Sequence, residues 1–311
     1  MDVSVIVPAR DAADTLGATL AALADQDTPA RYEVIVVDDG STDATQAVVA
    51  SSGVAVRLLR GTGAGPAAAR NVGAGAARGR VLAFTDADCV PDPGWLSAAL
   101  AALEAAELVQ GRVLPPEGAR IGPYDRSITV VSEYGLYETA NLVVERELFE
   151  RLDGFESILT PRRGIELGED VWLGWRARRS GARTCFSDAA LVRHAVFPRS
   201  AAGFVAERAR LRFFPELVRR IPELRDGFLY HRIFLSPRSA RFDLALICTG
   251  AAIATRRSAP LLGAVPYARA LRRSSRGRPR PAEVTVVQLA ADALGAAALV
   301  YGSTRSRSLL L

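Results

Sequence analysis

The sequence predicts an α/β chain: a doubly wound sheet with flanking helices, then an α-helical apolar tail. Three observations carry that expectation. Short β-branched runs alternate with helical spacings through the first hundred residues, polar clusters fall where the runs end, and the chain beyond Phe242 turns apolar and Ala-rich. Strands buried on both faces read as continuous apolar runs, and their alternation with helices marks βαβ units.

Residues 3–7 are such a run, closed by Pro8. Leu16, Leu20 and Leu23 follow at helical spacing, which predicts a helix. Residues 34–37 form a second strand ending at Asp38 and Asp39, and a capping pattern opens the next helix, with Asp43 as N-cap and Gln46 three residues on. Residues 54–59 and 81–85 are the third and fourth strands, separated by an Ala-rich helix. Residues 110–200 mix short strands and loops with a helix over 170–181, and 203–220 is amphipathic. In the tail, residues 244–255 and 260–268 are apolar, and 284–302 is nearly uncharged. A spanning helix needs about 20 apolar residues; the first stretch is too short and the last borderline. Were both to span, the link carrying Arg272, Arg273, Arg276, Arg278 and Arg280 would lie across the membrane from the main domain, against the positive-inside tendency. The expectation is therefore a re-entrant or interfacial hairpin with its arginines on anionic headgroups. A pair of Ala-rich helices packed on the main domain or in a homodimer is the plainer alternative.

Composition narrows the chemistry. All 39 basic residues are arginine, and the net charge of +5 is concentrated in the back half. That balance suits anionic ligands such as nucleotide phosphates or acidic lipids; no nucleic-acid motif is present. Without lysine there is no Walker A loop, no kinase-type phosphate lysine and no Schiff base. Cys89, Cys185 and Cys248 lie far apart with no metal or redox spacing, as in a reducing cytoplasm. The opening residues enter a strand directly, without signal-peptide features.

In doubly wound sheets ligands bind beyond the carboxyl ends of the strands. Those ends carry Pro8-Ala9-Arg10, Asp38-Asp39-Gly40-Ser41 and Asp86-Ala87-Asp88. Alternate residues at a strand end point the same way, so Asp86 and Asp88 offer two carboxylates to a hard cation such as Mg²⁺ or Mn²⁺. A metal held there can bridge a diphosphate. Asp39 can accept hydrogen bonds from a base or ribose, although its neighbours also make a good turn and cap. The glycine-rich 61–75 segment lacks the dinucleotide fingerprint, but Arg70 and Asn71 in it lead toward the fourth strand, and an arginine there suits a diphosphate.

In order, VSVIVPARD, VIVVDDGSTD and GPAAARNVGAGAARGRVLAFTDADCVPDPGWL resemble family 2 glycosyltransferases of the GT-A fold over residues 2–200. The resemblance implies a mixed GT-A sheet and inverting transfer from a nucleotide sugar (UDP, GDP or dTDP type) with Mn²⁺ or Mg²⁺. It places Pro8, Ala9, Arg10, Asp11, Asp39, Arg70, Asn71, Asp86 and Ala87 at the nucleotide sugar. Asp11 departs from the glutamate often found there, and a shorter acid shifts that contact. Asp86 and Asp88 are the implied metal motif, completed by His194 on a strand-like 191–194. Gly168-Glu169-Asp170 resembles the acceptor-side acidic motif, with Asp170 as base and Glu169 orienting it; otherwise both acids simply favour a helix N-terminus. Trp95, Trp172 and Trp175 could stack on sugar rings, although Trp172 and Trp175, three apart on a helix, also suit a core face; Asn141 in Ala140-Asn141-Leu142 and Trp172 are the implied acceptor contacts. The expected division is a nucleotide-sugar-binding half (1–110), an acceptor and catalytic half (111–202), an amphipathic linker (203–241) and a membrane-associated tail (242–311). The expected acceptor is a glycan or lipid-linked glycan, and the expected location the cytoplasmic face of the cell membrane. A glycoside hydrolase would not need these strand ends, a nucleotidyltransferase lacks its basic glycine-rich signature here, and no serine-hydrolase elbow occurs. A non-catalytic nucleotide-sugar-binding scaffold is the remaining alternative, opposed by the retention of Asp86, Asp88 and Asp170.

Overall fold

A computed structural model describes residues 1–159 and 167–311. They form two compact units. One comprises residues 1–119 and 127–196, the other residues 120–126 and 197–311.

The first unit is built on an eight-stranded mixed sheet. Its strands are β1 (Val3–Ala9), β2 (Tyr32–Asp38), β3 (Val56–Arg60), β4 (Val81–Phe84), β5 (Cys89–Pro91), β6 (Leu108–Leu114), β7 (Leu142–Glu145) and β8 (Thr184–His194), in spatial order β3-β2-β1-β4-β7-β6-β8-β5. The parallel half, β3-β2-β1-β4, holds the β-branched runs read from the sequence, and Val5, Ile6, Val7, Ile35 and Val36 are fully buried. Helices α1 (Leu16–Ala24), α2 (Thr45–Ser51), α3 (Pro66–Ala76), α4 (Trp95–Leu103), α5 (Arg146–Arg151) and α6 (Glu169–Arg179) flank the sheet. The second half turns antiparallel at β4–β7, where Phe84 faces Leu142. Two features of it set the site. β5 pairs antiparallel with β8, Cys89 opposite His194, and β6 runs parallel to β8 with an irregularity between Gly111 and Arg112.

The second unit is helical: α7 (Ala201–Glu207), a 3₁₀ segment (Arg208–Phe213), α8 (Phe214–Arg220), α9 (Leu224–Gly227), α10 (Pro237–Thr255), a 3₁₀ segment (Ala259–Ala264), α11 (Val265–Ser275) and α12 (Pro281–Ser306). The amphipathic 203–220 stretch is thus broken into three pieces, with Pro215 in the first turn of α8. α10 opens on a capping box between Ser236 and Ser239. α12 is long and apolar enough to cross a membrane, with a mean hydropathy of 1.6 over its most apolar stretch. It nevertheless packs along α7, the first 3₁₀ segment and α8. Ala291, Gly295, Ala298, Leu299 and Gly302 are buried on that side, while Val286, Leu289, Val300 and Tyr301 stay exposed.

Candidate active site

The polar ends of β1 and β2 are tied into one surface. The Asp39 N–H donates to the Ala9 carbonyl at 2.8 Å. Asp39 is 3% exposed, and its two carboxylate oxygens accept from the Gly63 and Gly65 N–H groups, each at 2.8 Å. The glycine-rich loop is thereby held over the end of β2, and Gly61 in it leaves no room for a side chain beside Asp39. Pro8 is half-buried, Ala9 buried and Arg10 exposed. Asp11 adopts a left-handed backbone (φ 48°), and its carboxylate accepts from the Thr42 N–H and hydroxyl at 2.7 and 3.1 Å. The capping expectation is corrected here. Ala44 occupies the N-cap of α2, Asp43 accepts from the Thr45 and Ala13 N–H groups, and Gln46 donates to Asp38 instead of closing a box.

Arg70, on α3, is 4% exposed and is the cation around which the acids gather. Its Nη2 lies 2.7 Å from Asp86 and its Nη1 3.4 Å from Glu169. The guanidinium also sits over the Phe155 ring, 5.8 Å from the centroid. Burial opposes its charge, but Asp86 and Glu169 outweigh that and raise its pKa. Its Nε is buried and has no hydrogen-bond partner among the described residues. One side chain therefore joins the end of β4 to the first turn of α6.

The β5–β8 pairing does the second piece of assembly. The Ala195 N–H donates to the Asp88 carbonyl at 2.9 Å, and His194 Nε2 stands 3.6 Å from the Asp88 carboxylate. His194 is buried, and its Nδ1 is 2.7 Å from the Ala195 carbonyl. A carbonyl only accepts, so Nδ1 carries a proton, and Nε2 is the ring nitrogen that faces Asp88. Asp88, Cys89 and His194 bring their ligand atoms within 4.8 Å of one another. Burial and nearby Asp86 push the Asp88 carboxyl up, with His194 pulling it back. Burial drives the Cys89 thiol far above its usual range, so it stays protonated.

Glu169 and Asp170 open α6, whose N-cap Gly168 takes a left-handed backbone (φ 79°) that glycine adopts without strain. Asp170 keeps some exposure, yet the protein packed around it raises its carboxyl well above the ordinary range. Glu169 adds to that rise, as does Glu138 more weakly, while the Val171 N–H and Arg70 pull against it. Burial likewise raises Glu138. Glu138 follows Tyr137, a buried residue with positive φ (53°) whose ring presses on Gly174.

Residues 4–150 match the family described as Glycosyl transferase family 2. Glycosyltransferase AglE of Haloferax volcanii is 30% identical over 211 residues, covering 63% of this chain and 67% of that protein. The pre-mycofactocin glycosyltransferase of Mycobacterium tuberculosis is 31% identical over 212 residues, 62% of this chain but only 42% of that protein. The chain belongs to glycosyltransferase family 2. Two solved structures share its fold. The mannosyltransferase PcManGT from Pyrobaculum calidifontis, in complex with GDP-Man and Mn²⁺, has a TM-score of 0.59 at 23% identity, covering 98% of this chain and 86% of that one. S. aureus TarS 1–349 has 0.54 at 20%, covering 99% and 92%.

Within this family 2 chain, the structure brings Arg70, Asp86, Glu169 and Asp170 together, and separately Asp88 with His194. Ala87 is buried between the two acids. Two expected contacts receive other work. Asn141 is fully buried: its Oδ1 accepts from Trp95 Nε1 at 2.8 Å, and its Nδ2 donates to the Arg112 and Ala190 carbonyls at 2.9 and 2.7 Å. Nothing of its amide is left for an acceptor, so the expected acceptor contact is withdrawn. Asn71 donates to the Phe155 carbonyl and accepts from its N–H at 2.8 and 2.9 Å, which pins the segment under Arg70. Trp172 donates to Glu156 at 3.0 Å, and the Arg176 and Arg179 guanidiniums lie 5.8 and 5.4 Å from its ring centroid. Sequence reasoning missed Glu138; its one signal was adjacency to the flagged 140–142 segment.

Proposed function

We propose that this chain is an inverting glycosyltransferase that moves a sugar from a nucleoside diphosphate to an acceptor hydroxyl in glycan or glycolipid synthesis. The observation that carries the reading is the double ion pair of Arg70. It binds the strand-end acid on the donor side to the acidic turn on the acceptor side, and so sets Asp170 beside the Asp86–Asp88 motif.

Asp39 and the loops around Pro8–Asp11 receive the nucleoside, and the unpartnered Arg70 Nε is a donor for the diphosphate. Asp86, Asp88 and His194 would hold a divalent cation, and the donor set fits: one imidazole whose Nε2 stands 3.6 Å from Asp88, together with hard carboxylates, suits Mn²⁺ and equally admits Mg²⁺ through the acids. Such a cation supplies neutralisation of the charge that builds on the leaving diphosphate. Asp170 accepts the acceptor hydroxyl proton as that oxygen bonds to the anomeric carbon. The bond from that carbon to the diphosphate oxygen breaks, and the nucleoside diphosphate carries the electron pair away. A raised pKa makes Asp170 a better proton acceptor than an ordinary carboxylate, and Glu169 orients it through Arg70. Trp172 borders the acceptor side. GDP-mannose and Mn²⁺ in one solved relative agree with this class of donor and metal. The exposed apolar residues of α12 and the second unit's arginines support attachment to the cytoplasmic face of a membrane, in the interface rather than across it.

The test is thermal stability of the purified protein with UDP, GDP, dTDP and their sugars, each with Mn²⁺ and with chelator. A ligand that binds only the folded state raises the melting temperature, by about 2.7 kcal/mol of stability at a hundredfold excess over Kd. A metal-dependent rise with one nucleotide, abolished in Asp88→Ala, supports the reading and names the base. No rise with any of them refutes the donor site.

A further inference from the structure

The helical unit contains a cavity that glycosyl transfer does not use. It has a volume of about 160 Å³ and lies among α7, the first 3₁₀ segment, the start of α10 and the middle of α12. A cavity of about 150 Å³ holds a benzene-sized guest, so this one has room for a compact headgroup. Its walls divide sharply in chemistry. Phe204, Leu211, Phe242 and Leu299 form an apolar side, and Arg208, Arg238, Asp292 and Gln288 a polar one.

The polar side is built, and it is unbalanced. Arg238 is neutralised: its Nη2 lies 2.8 Å from Asp292, and its Nε donates to both Asp292 oxygens at 3.1 and 2.9 Å. Tyr267 donates to Asp292 at 2.8 Å, which completes that carboxylate. Arg208 has no carboxylate within 4 Å among the described residues. Among the described residues, its guanidinium meets the Phe204 ring, 4.9 Å from the centroid. Burial and adjacent Arg238 weaken its hold on its proton, with Asp292 partly offsetting them. A half-buried guanidinium beside an apolar wall costs free energy unless an anion meets it. The three charges Arg208, Arg238 and Asp292 sum to a single positive charge. The same helical unit exposes Leu246, Ile247 and Ile253 of α10, Leu262, and Val286 of α12, each more than 60% open; Leu246 is one helical turn beyond Phe242 of the cavity wall, and Val286 two residues before Gln288. No monoanion in water would need such surroundings; one attached to an acyl chain does.

We infer that this cavity is a binding site for the phosphodiester headgroup of an anionic phospholipid, with Arg208 as its counter-ion and the apolar wall along the first part of the chain. The inference rests on the membrane attachment proposed above. It makes the attachment specific: one lipid seats in a defined place, beyond the general attraction of surface arginines.

The experiment is co-sedimentation of the full chain with vesicles of phosphatidylcholine alone and of phosphatidylcholine with phosphatidylglycerol, for wild type, Arg208→Gln and Ile247→Asp. Melting temperature is measured alongside with a short-chain, monomeric phosphatidylglycerol and with inorganic phosphate. Wild type is expected to prefer the anionic vesicles, and Arg208→Gln to lose roughly tenfold of that affinity, the worth of one charge-assisted hydrogen bond. Binding of Arg208→Gln to pure phosphatidylcholine stays unchanged, whereas Ile247→Asp weakens binding to both vesicles. Donor hydrolysis equal to wild type in Arg208→Gln shows that it folds. If wild type binds neither vesicle, the membrane attachment fails and the inference with it. If wild type binds and Arg208→Gln prefers anionic vesicles equally, attachment stands and the headgroup site is overturned. Stabilisation by inorganic phosphate as large as by the short-chain lipid also overturns it, in favour of a soluble anion.

Discussion

Replacing Arg70 with methionine keeps an unbranched apolar stem and removes the one charge that the acid cluster shares. The guanidinium is 4% exposed, 2.7 Å from Asp86 and 3.4 Å from Glu169, so its loss leaves two carboxylates facing each other and Asp170 without a cation. Breaking a buried pair by deleting one partner costs about 3–5 kcal/mol, because the stranded charge has neither water nor counter-ion. At this chain length about 2 °C of melting temperature accompanies each kcal/mol, so the variant should melt roughly 6–10 °C lower at pH 8. The deficit has a sign in pH. In the variant the stranded acids favour their protonated forms, so their folded pKa values rise above the unfolded ones. The penalty is then full above both values and fades as pH falls into the unfolded carboxylate range near 4. Melting curves of wild type and Arg70→Met at pH 8 and pH 5, in chelator, measure it. A deficit below 1 kcal/mol, or one that does not shrink at pH 5, would refute the claim that Arg70 holds the acids together by charge.

Other perturbations address other parts of the molecule. Asp170→Asn should lower transfer by about 10²–10⁴ while leaving nucleotide-dependent stabilisation intact, since it removes the proton acceptor and not the donor contacts. The acidic limb of kcat/KM, where activity rises as Asp170 loses its proton, should lie above the ordinary carboxylate range; Glu138→Gln removes one of the charges that raise it and should move the limb to lower pH. A limb that moves up, or stays in place, removes Glu138 from the electrostatics of the base. His194→Ala should raise the Mn²⁺ concentration needed for nucleotide-dependent stabilisation, by titration calorimetry, without changing the fold by circular dichroism. Asn141→Ala leaves the Trp95 indole N–H and two carbonyls unpaired in the core and should cost about 2–4 kcal/mol in urea unfolding.

Strands β1, β2 and β4 are readable because their central residues are buried on both faces, so each reads as an unbroken apolar run ending at a polar cluster, whereas the edge strand β3 is part-exposed and interrupted by Arg57. Asp39, Asp86 and Asp88 could be placed at strand ends from that pattern alone. Local chemistry was less dependable. Asp43 and Gln46 have the spacing of a capping box, yet Gln46 reaches Asp38, because a buried strand-end carboxylate needs donors more than a helix N–H near solvent does. Asn141 lies next to a motif, and its type suggested ligand contact. Its fate is set by β6: the chain shifts register at Gly111, where any Cβ would come within 2.2 Å of the Asn141 amide, and the freed carbonyl of Arg112 is satisfied by that amide. An irregularity of this kind leaves no period in the sequence.

The same contrast explains how the acidic end of the sheet is put together. Asp86-Ala87-Asp88 is a local motif, but its two acids acquire different partners through long-range pairing: Asp86 takes Arg70 of α3, and Asp88 takes His194 through the β5–β8 ladder. Asp86, already paired, is restrained from following a ligand, whereas Asp88, raised by burial and 3.6 Å from the His194 ring rather than in a close ion pair, gains most from a cation. The neighbouring acids deepen the contrast. Glu169 and Asp170 share Arg70 with Asp86, so this end of the sheet carries more negative charge than its one buried guanidinium balances. A nucleoside diphosphate adds further negative charge and would be repelled from such a surface unless a divalent cation enters with it. The charge arrangement therefore predicts metal dependence, with the cation expected to bind before or with the nucleotide. Nucleotide binding that proceeds at full affinity in chelator would contradict that reasoning directly.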